Sequence, residues 1–146
     1  MKRKKTRRLL FGERGAAAVE FAIILPLLIL ILFGIIEFGL LLYNKQMITN
    51  ASREGARAGI VARIPRLSDA EIATIVNSYC AGNMVNFGAG TPVVTVTRTD
   101  TNGDGSATGF GDDLSVQVTF NYSFLVLTNL GFGPVNIGST SVMKME

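Results

Sequence analysis

Between Ala16 and Tyr43 the chain runs for 28 residues with two charges, Glu20 and Glu37, and the sixteen residues from Phe21 to Ile36 carry none. Wound as a helix, such a run is about 42 Å long, and a bilayer core needs roughly 20 apolar residues. Pro26 and Gly34 fall inside it, and helices in membranes carry both residues more often than soluble ones do. The competing reading is a buried core helix. It fails on size, because the rest of the chain is too short to bury a helix that is apolar all round. The expectation is a transmembrane helix over 16–43.

Charge gives the helix a direction. Residues 1–15 hold seven Lys/Arg (Lys2, Arg3, Lys4, Lys5, Arg7, Arg8, Arg14) against Glu13, a net +6, whereas the remaining residues carry a net −3. Basic residues before a span stay on the cytoplasmic side, which places Asn44–Glu146 outside the inner membrane. Because the basic character is confined to the head, nucleic-acid binding by the body of the protein is not expected. Over the whole chain 48% of residues are apolar and 17% charged, below the roughly 25% charge usual in soluble domains. The apolar stretch also exceeds the 7–15 residues of a cleaved secretory signal, and no small-x-small cleavage site follows, so a retained helix is expected.

Helical periodicity continues past the apolar run. Met47, Ile48, Ala51, Gly55, Ala58 and Ala62 form a narrow stripe of apolar and small residues, and Pro65 is expected to end the helix, giving one helix over Ala16–Ile64. Ser68-Asp-Ala-Glu71 is a capping box, with Ser at N-cap and Glu at N3. A short helix should follow with Ile72, Ile75, Val76 and Tyr79 on one face and a stop near Gly82. The period then changes to two. Pro92–Thr99 is β-branched, Leu114–Tyr122 sets Leu114, Val116, Val118, Phe120 and Tyr122 against Ser115, Gln117, Thr119 and Asn121, and Val135–Met145 is a weaker strand. Strands following helices predict an α+β fold: a single N-terminal transmembrane helix continuing into a long helix, packed on a small antiparallel sheet of about three strands. The domains are then a cytoplasmic basic leader over 1–15, the transmembrane helix over 16–43 and an extracytoplasmic α+β domain over 44–146.

The junction of head and helix reads Arg14-Gly15-Ala16-Ala17-Ala18-Val19-Glu20-Phe21, with Leu25-Pro26-Leu27-Leu28 after it, then Ile35-Ile36-Glu37-Phe38-Gly39 and Asn50-Ala51-Ser52-Arg53-Glu54-Gly55-Ala56-Arg57. A basic leader, a glycine and a glutamate five places on resemble the class III signal of type IV pilins and pseudopilins. Together these segments resemble the TadE family of pilus-assembly proteins over residues 14 to about 60; the strand-rich remainder matches in outline. The resemblance implies that prepilin peptidase cuts between Gly15 and Ala16, with Gly15 at the position where side chains are not tolerated. It also implies that Glu20 and the neighbouring Phe21 serve assembly and recognition. An ionisable group at the edge of a membrane span is a functional candidate by default, and the amine freed at Ala16 would lie one helical turn from Glu20 or reach it from a neighbouring subunit. The alternative is that Glu20 simply rests at the membrane boundary.

Other features have more ordinary readings. Glu37 is expected near the outer interface, in reach of water. Arg53–Arg57 with Gly55 and Gly59 leaves two readings open: close docking of another helix, or small residues facing the protein's own sheet. Asp100, Asn102 and Asp104 with Gly105 form D-x-N-x-D-G, the first half of a calcium-loop pattern. Position twelve is Gly111 rather than a bidentate Glu, so a hairpin tip is the first reading and a calcium site the second; no other cofactor is expected. The single Cys80 is expected buried. With no His in the chain, no Ser–His or Cys–His nucleophile can be built, and an assembly role rather than an enzyme is expected. The composite reading is a membrane-anchored, pseudopilin-like subunit of a tight-adherence (Flp, type IVb) pilus or related secretion apparatus. It would sit in a bacterial inner membrane, with prepilin peptidase and other pilus subunits as partners. The rival reading is an uncleaved bitopic scaffold or sensor whose outer domain binds a partner or ligand.

Overall fold

The structure, a computed structural model, describes residues 10–87 and 90–146, with side chains from Gly15 onward, so the expected leader lies largely outside the described residues. The elements in chain order are α1 (Leu10–Ile60), α2 (Asp69–Asn83), β1 (Val93–Thr99), β2 (Asp113–Tyr122), a 3-10 helix (Leu127–Leu130) and β3 (Val135–Lys144). This is the expected α+β class, with one helix long and apolar enough to cross a membrane. The chain divides into two compact units, one ending at Ile36 and one formed by Glu37–Glu146. In the first unit most large apolar side chains are exposed, Ile35 to 67%, as lipid-facing residues would be.

In the second unit the antiparallel sheet has the order β1-β2-β3. β2 is central, with Val96 opposite Val116 on one side and Ile137 opposite Phe120 on the other. Its alternation resolves as the sequence predicts: Leu114, Val116, Val118, Phe120 and Tyr122 are buried, while Gln117 and Asn121 are exposed. Ile48, Ala51 and Ala56 of α1 and Ile72, Val76 and Cys80 of α2 complete the core. Each fully buried Val, Leu, Ile or Phe contributes about 1.5–3 kcal/mol. The core therefore rests on one strand face covered by two helices.

The capping box forms as read: the Glu71 amide donates to Ser68 Oγ at 3.3 Å and the Ser68 amide donates to Glu71 Oε2 at 2.8 Å. The Ser68 amide, and after it the Ser68 hydroxyl donating to the same Oε2 at 2.8 Å, hold the Glu71 carboxyl below its usual range. Two helix ends differ from expectation. α2 continues through Gly82 to Asn83, and the Met84 amide closes it on the Cys80 carbonyl at 2.9 Å without a left-handed glycine. α1 stops at Ile60, before Ile64 and Pro65, because tertiary partners take over its last carbonyl. Arg66 Nη1 donates to the Ile60 carbonyl at 3.2 Å, and so does the Glu146 amide at 3.2 Å.

Gly55 and Gly59 set how closely the layers approach. A Cβ on Gly55 would stand 2.4 Å from Val76 Cγ2, and one on Gly59 would stand 2.4 Å from Leu114 Cδ2 and 2.7 Å from Ile72 Cδ1. The small-residue face of α1 is thus occupied by the protein's own α2 and β2. This settles the two open readings of Arg53–Arg57 in favour of internal packing. Arg53 and Arg57 point outward, and the Arg57–Glu54 pair at 3.3 Å is exposed and worth little.

The β1–β2 connection is held by its own side chains. Asp100 Oδ1 accepts from the Gly103 amide at 2.6 Å and Oδ2 from the Gly105 amide at 2.9 Å. Asn102 Oδ1 accepts from the Asp104 amide at 2.9 Å, and Asp104 Oδ1 from the Ser106 amide at 2.8 Å. The centre of the loop is Asp112, which is fully buried. It accepts from the amides of Thr101 at 3.1 Å, Asn102 at 3.4 Å and Gly109 at 2.7 Å. Burial pushes its carboxyl upward, but these amides and the charge of Lys144 outweigh that and leave it below its ordinary range.

Two outcomes follow for the full chain in mild detergent. Gly55→Leu should lower the stability of the second unit by more than the roughly 1–3 kcal/mol typical of overpacking, because Val76 is stiff at χ1. Gly82→Ala, at a site with open space around it, should raise stability by about 0.5 kcal/mol; denaturant titration reads both. A carboxyl depressed on folding stabilises the fold above its unfolded pKa, about 3.9 for Asp, and that contribution is lost as pH falls through the lower folded value. The melting temperature should therefore drop below about pH 4. Asp112→Asn should lower it at neutral pH and flatten the acid limb.

Candidate functional site

The segment carrying the expected processing and assembly residues lies inside α1. Gly15, Ala16, Glu20 and Phe21 are all helical and exposed, and a Cβ placed on Gly15 would meet nothing within 4 Å. Ala16 and Glu20 are four apart, so they lie on one helix face a turn from each other. Among the described residues Glu20 has no hydrogen-bond or ion-pair partner.

The second glutamate of the apolar run behaves differently from its expected contact with water. Glu37 is 2% exposed. Its Oε1 accepts from the Val126 amide and its Oε2 from the Leu127 amide at 3.3 Å. The carboxylate thereby caps the 3-10 helix Leu127–Leu130, taking the first amides that no turn of that helix can satisfy. Gly131, with φ of 91°, closes the other end in the left-handed conformation. Nearby, Tyr122 is buried with its ring edge-on to Phe124 at 5.4 Å between centroids. Its hydroxyl is raised above its ordinary pKa, first by burial and then by the charge of Glu37.

Further along the same face of α1, polar side chains reach into the α+β body. Asn44 is fully buried and pairs both ways with Val85: Nδ2 donates to the carbonyl at 2.7 Å and Oδ1 accepts from the amide at 2.9 Å. Lys45 Nζ donates to the Gly138 carbonyl. Ser52 Oγ donates to the Thr49 carbonyl at 2.9 Å and meets Ser139 Oγ at 3.3 Å. Sequence reasoning passed over Glu37, Asn44 and Ser52 as interior residues. The available signal was their position: with Ile48 and Gly55 they continue one stripe at helical spacing.

Among the described residues no group of three or more His, Cys, Asp or Glu side chains is placed to hold a metal ion. The oxygens of Asp100, Asn102 and Asp104 are instead turned onto loop amides, as in the hairpin-tip reading. A cavity of about 490 Å³ opens between α2 and the start of β1, lined in part by Asn77, Cys80, Met84 and Phe120. Cys80 is buried, and burial pushes its thiol pKa up, the direction that makes a thiol inert.

No curated protein and no solved structure matches the chain. Residues 15–57 match the TadE family model, described as TadE-like protein. The matched stretch takes in Gly15, Ala16, Glu20, Phe21 and Glu37 and ends at Arg57, two residues after Gly55. The similarity to the TadE-like family thus covers the apolar helix and its continuation into the α+β body, and no model matches the strands.

Proposed function

We propose that this protein is a membrane-anchored, pseudopilin-like subunit in assembly of a tight-adherence pilus or a related secretion apparatus. In this reading α1 holds it in the inner membrane, with the N-terminus cytoplasmic and the α+β unit outside. The observation that carries the reading is the family match over 15–57, which coincides with the apolar helix and its Gly15/Glu20 spacing. The leader is a handle for prepilin peptidase. To reach the bond between Gly15 and Ala16 a protease must unwind the first turns of α1, and glycine lowers the helical propensity there by about 1 kcal/mol relative to alanine. Removing the leader discards the seven Lys/Arg of residues 1–15 and so removes the charge that anchors the chain on the cytoplasmic face.

Glu20 then has its role after processing. Its carboxylate lies exposed on α1, and a carboxylate at the border of lipid is stabilised by a cation. The new amine of Ala16, in the same chain or a neighbouring subunit, supplies one. Pairing between subunits would fix the register of packed helices.

Mass and N-terminal analysis of the membrane form should show a chain beginning at Ala16 when prepilin peptidase is present and an intact chain when it is absent. Gly15→Leu should prevent the cut. Glu20→Gln should leave cleavage and insertion intact yet reduce piliation. An uncut chain in peptidase-positive cells would overturn the proposal in favour of an uncleaved bitopic scaffold. A periplasm-active reporter joined after Glu146 through a flexible linker should be active and a cytoplasm-only reporter silent; the reverse would refute the orientation.

A further inference from the structure

The second unit carries an apolar surface that the assembly role leaves unexplained. From Leu114 to Met143 the sequence has no charged residue. The middle of this stretch is the β2–β3 connection, Ser123–Pro134, in which Leu125, Leu130 and Phe132 are 53%, 54% and 57% exposed. Exposed apolar residues grouped on one loop mark a contact surface. Glu37 ties this loop to α1 through the Val126 and Leu127 amides, and on the same stretch of α1 Phe38, Leu42 and Tyr43 are exposed as well.

The position of Glu37 along the chain identifies the occupant. Residues 16–36 make about 32 Å of helix, which matches a hydrocarbon core of about 30 Å. Glu37 is the next residue, so it and the loop bound to it fall at the outer edge of that core. The sheet's other end is far away. The β1–β2 connection adjoins Asp113, the residue at the opposite end of the ten-residue β2, about 30 Å distant at strand rise. That end carries Asp100, Asp104, Asp112 and Asp113, so charge and apolar surface are segregated to opposite ends of the sheet.

We propose that the Ser123–Pro134 loop is a second membrane contact, with Leu125, Leu130 and Phe132 seated in the interfacial layer of the bilayer that α1 crosses. The inference rests on α1 spanning the membrane, as in the proposed function. The Glu37 carboxylate, at a depth where an unpaired charge is costly, is satisfied by the loop's own amides, and the loop in turn shields it from lipid. Tyrosine favours this layer and Tyr43 supplies one, while Phe38 and Phe132 add exposed apolar surface. Such a foot fixes the tilt of the α+β unit over the membrane, which a single helix leaves free to rotate.

The chain has no Trp, so a single introduced Trp reports its own depth. The full chain is reconstituted in phosphatidylcholine/phosphatidylglycerol nanodiscs whose acyl chains are brominated either near the headgroup or near the methyl end. Phe132→Trp and, separately, Leu130→Trp should lose most of their fluorescence to the shallow bromines and resist aqueous acrylamide. Leu28→Trp should be quenched by the deep bromines, and Phe110→Trp, on the opposite loop, by acrylamide alone. Quenching of Leu28→Trp with both loop variants open to acrylamide and untouched by bromine would overturn the loop contact while leaving the span intact. It would point instead to a protein partner for the loop. An unquenched Leu28→Trp would remove the span, and the proposal with it. Equal bromine quenching at Phe110→Trp would also overturn it, by showing the whole unit lying against lipid.

Discussion

The approach of the α1 backbone to α2 and β2 at Gly55 and Gly59 is the contact on which the α+β unit depends. A helix that is broadly apolar in its first part offers no obvious face for a soluble body. The small residues Ala51, Ser52, Gly55, Ala56 and Gly59 create one by letting Val76, Ile72 and Leu114 reach the helix surface. Close contact matters because interiors are packed to crystal-like density, and a gap of even a methyl group forfeits attraction on both sides. The contact is made by Ile72 and Val76 in the N-terminal half of α2, the end that the capping box fixes. β2 then has a fixed distance at which to lay its buried face, with β1 and β3 following by register.

The same helix carries two glutamates whose environments differ. Glu20 is exposed within the first unit, and Glu37 is buried within the second under two backbone amides. Both interrupt an apolar run, and from sequence both read as boundary residues. Physically they are opposites. One is an acceptor with its capacity free, suited to an interaction outside the fold. The other is saturated by a turn nearly ninety residues later in the chain, so it contributes to architecture. The functional candidate is the one that the fold leaves unused.

What was legible in the sequence is what neighbours decide. The apolar run, the Ser68–Glu71 box and the alternation of Leu114–Tyr122 depend on residues within a turn or a pleat of each other, and all appear as read. Gly15, Ala16 and Glu20, proposed here for processing and assembly, stand out as a spaced pattern, and the match over 15–57 covers those positions. The remainder depends on distant partners. α1 ends at Ile60 because Arg66 and Glu146 take its carbonyl, which no local rule encodes; Pro65 was the nearest visible stop. Asp112 outranks Asp100 and Asp104 in its loop because it is the one carried into the interior by the start of β2. The spacing of Asp100 and Asp104 is visible in the sequence, whereas the burial of Asp112 depends on the fold.

The linkage of α1 to the last strand has a kinetic side. Lys45 is bonded to Gly138, Ser52 to Ser139 and Ile60 to Glu146, so the helix that leaves the ribosome first receives its covering strand last. Contacts of such sequence separation form slowly. The bonds from Lys45 and Ser52 to that strand must wait for about ninety further residues, several seconds at the usual pace of synthesis of about 5–20 residues per second. α2 and β2, made earlier, cover the small-residue face of α1 first, and the arrival of β3 completes the seal.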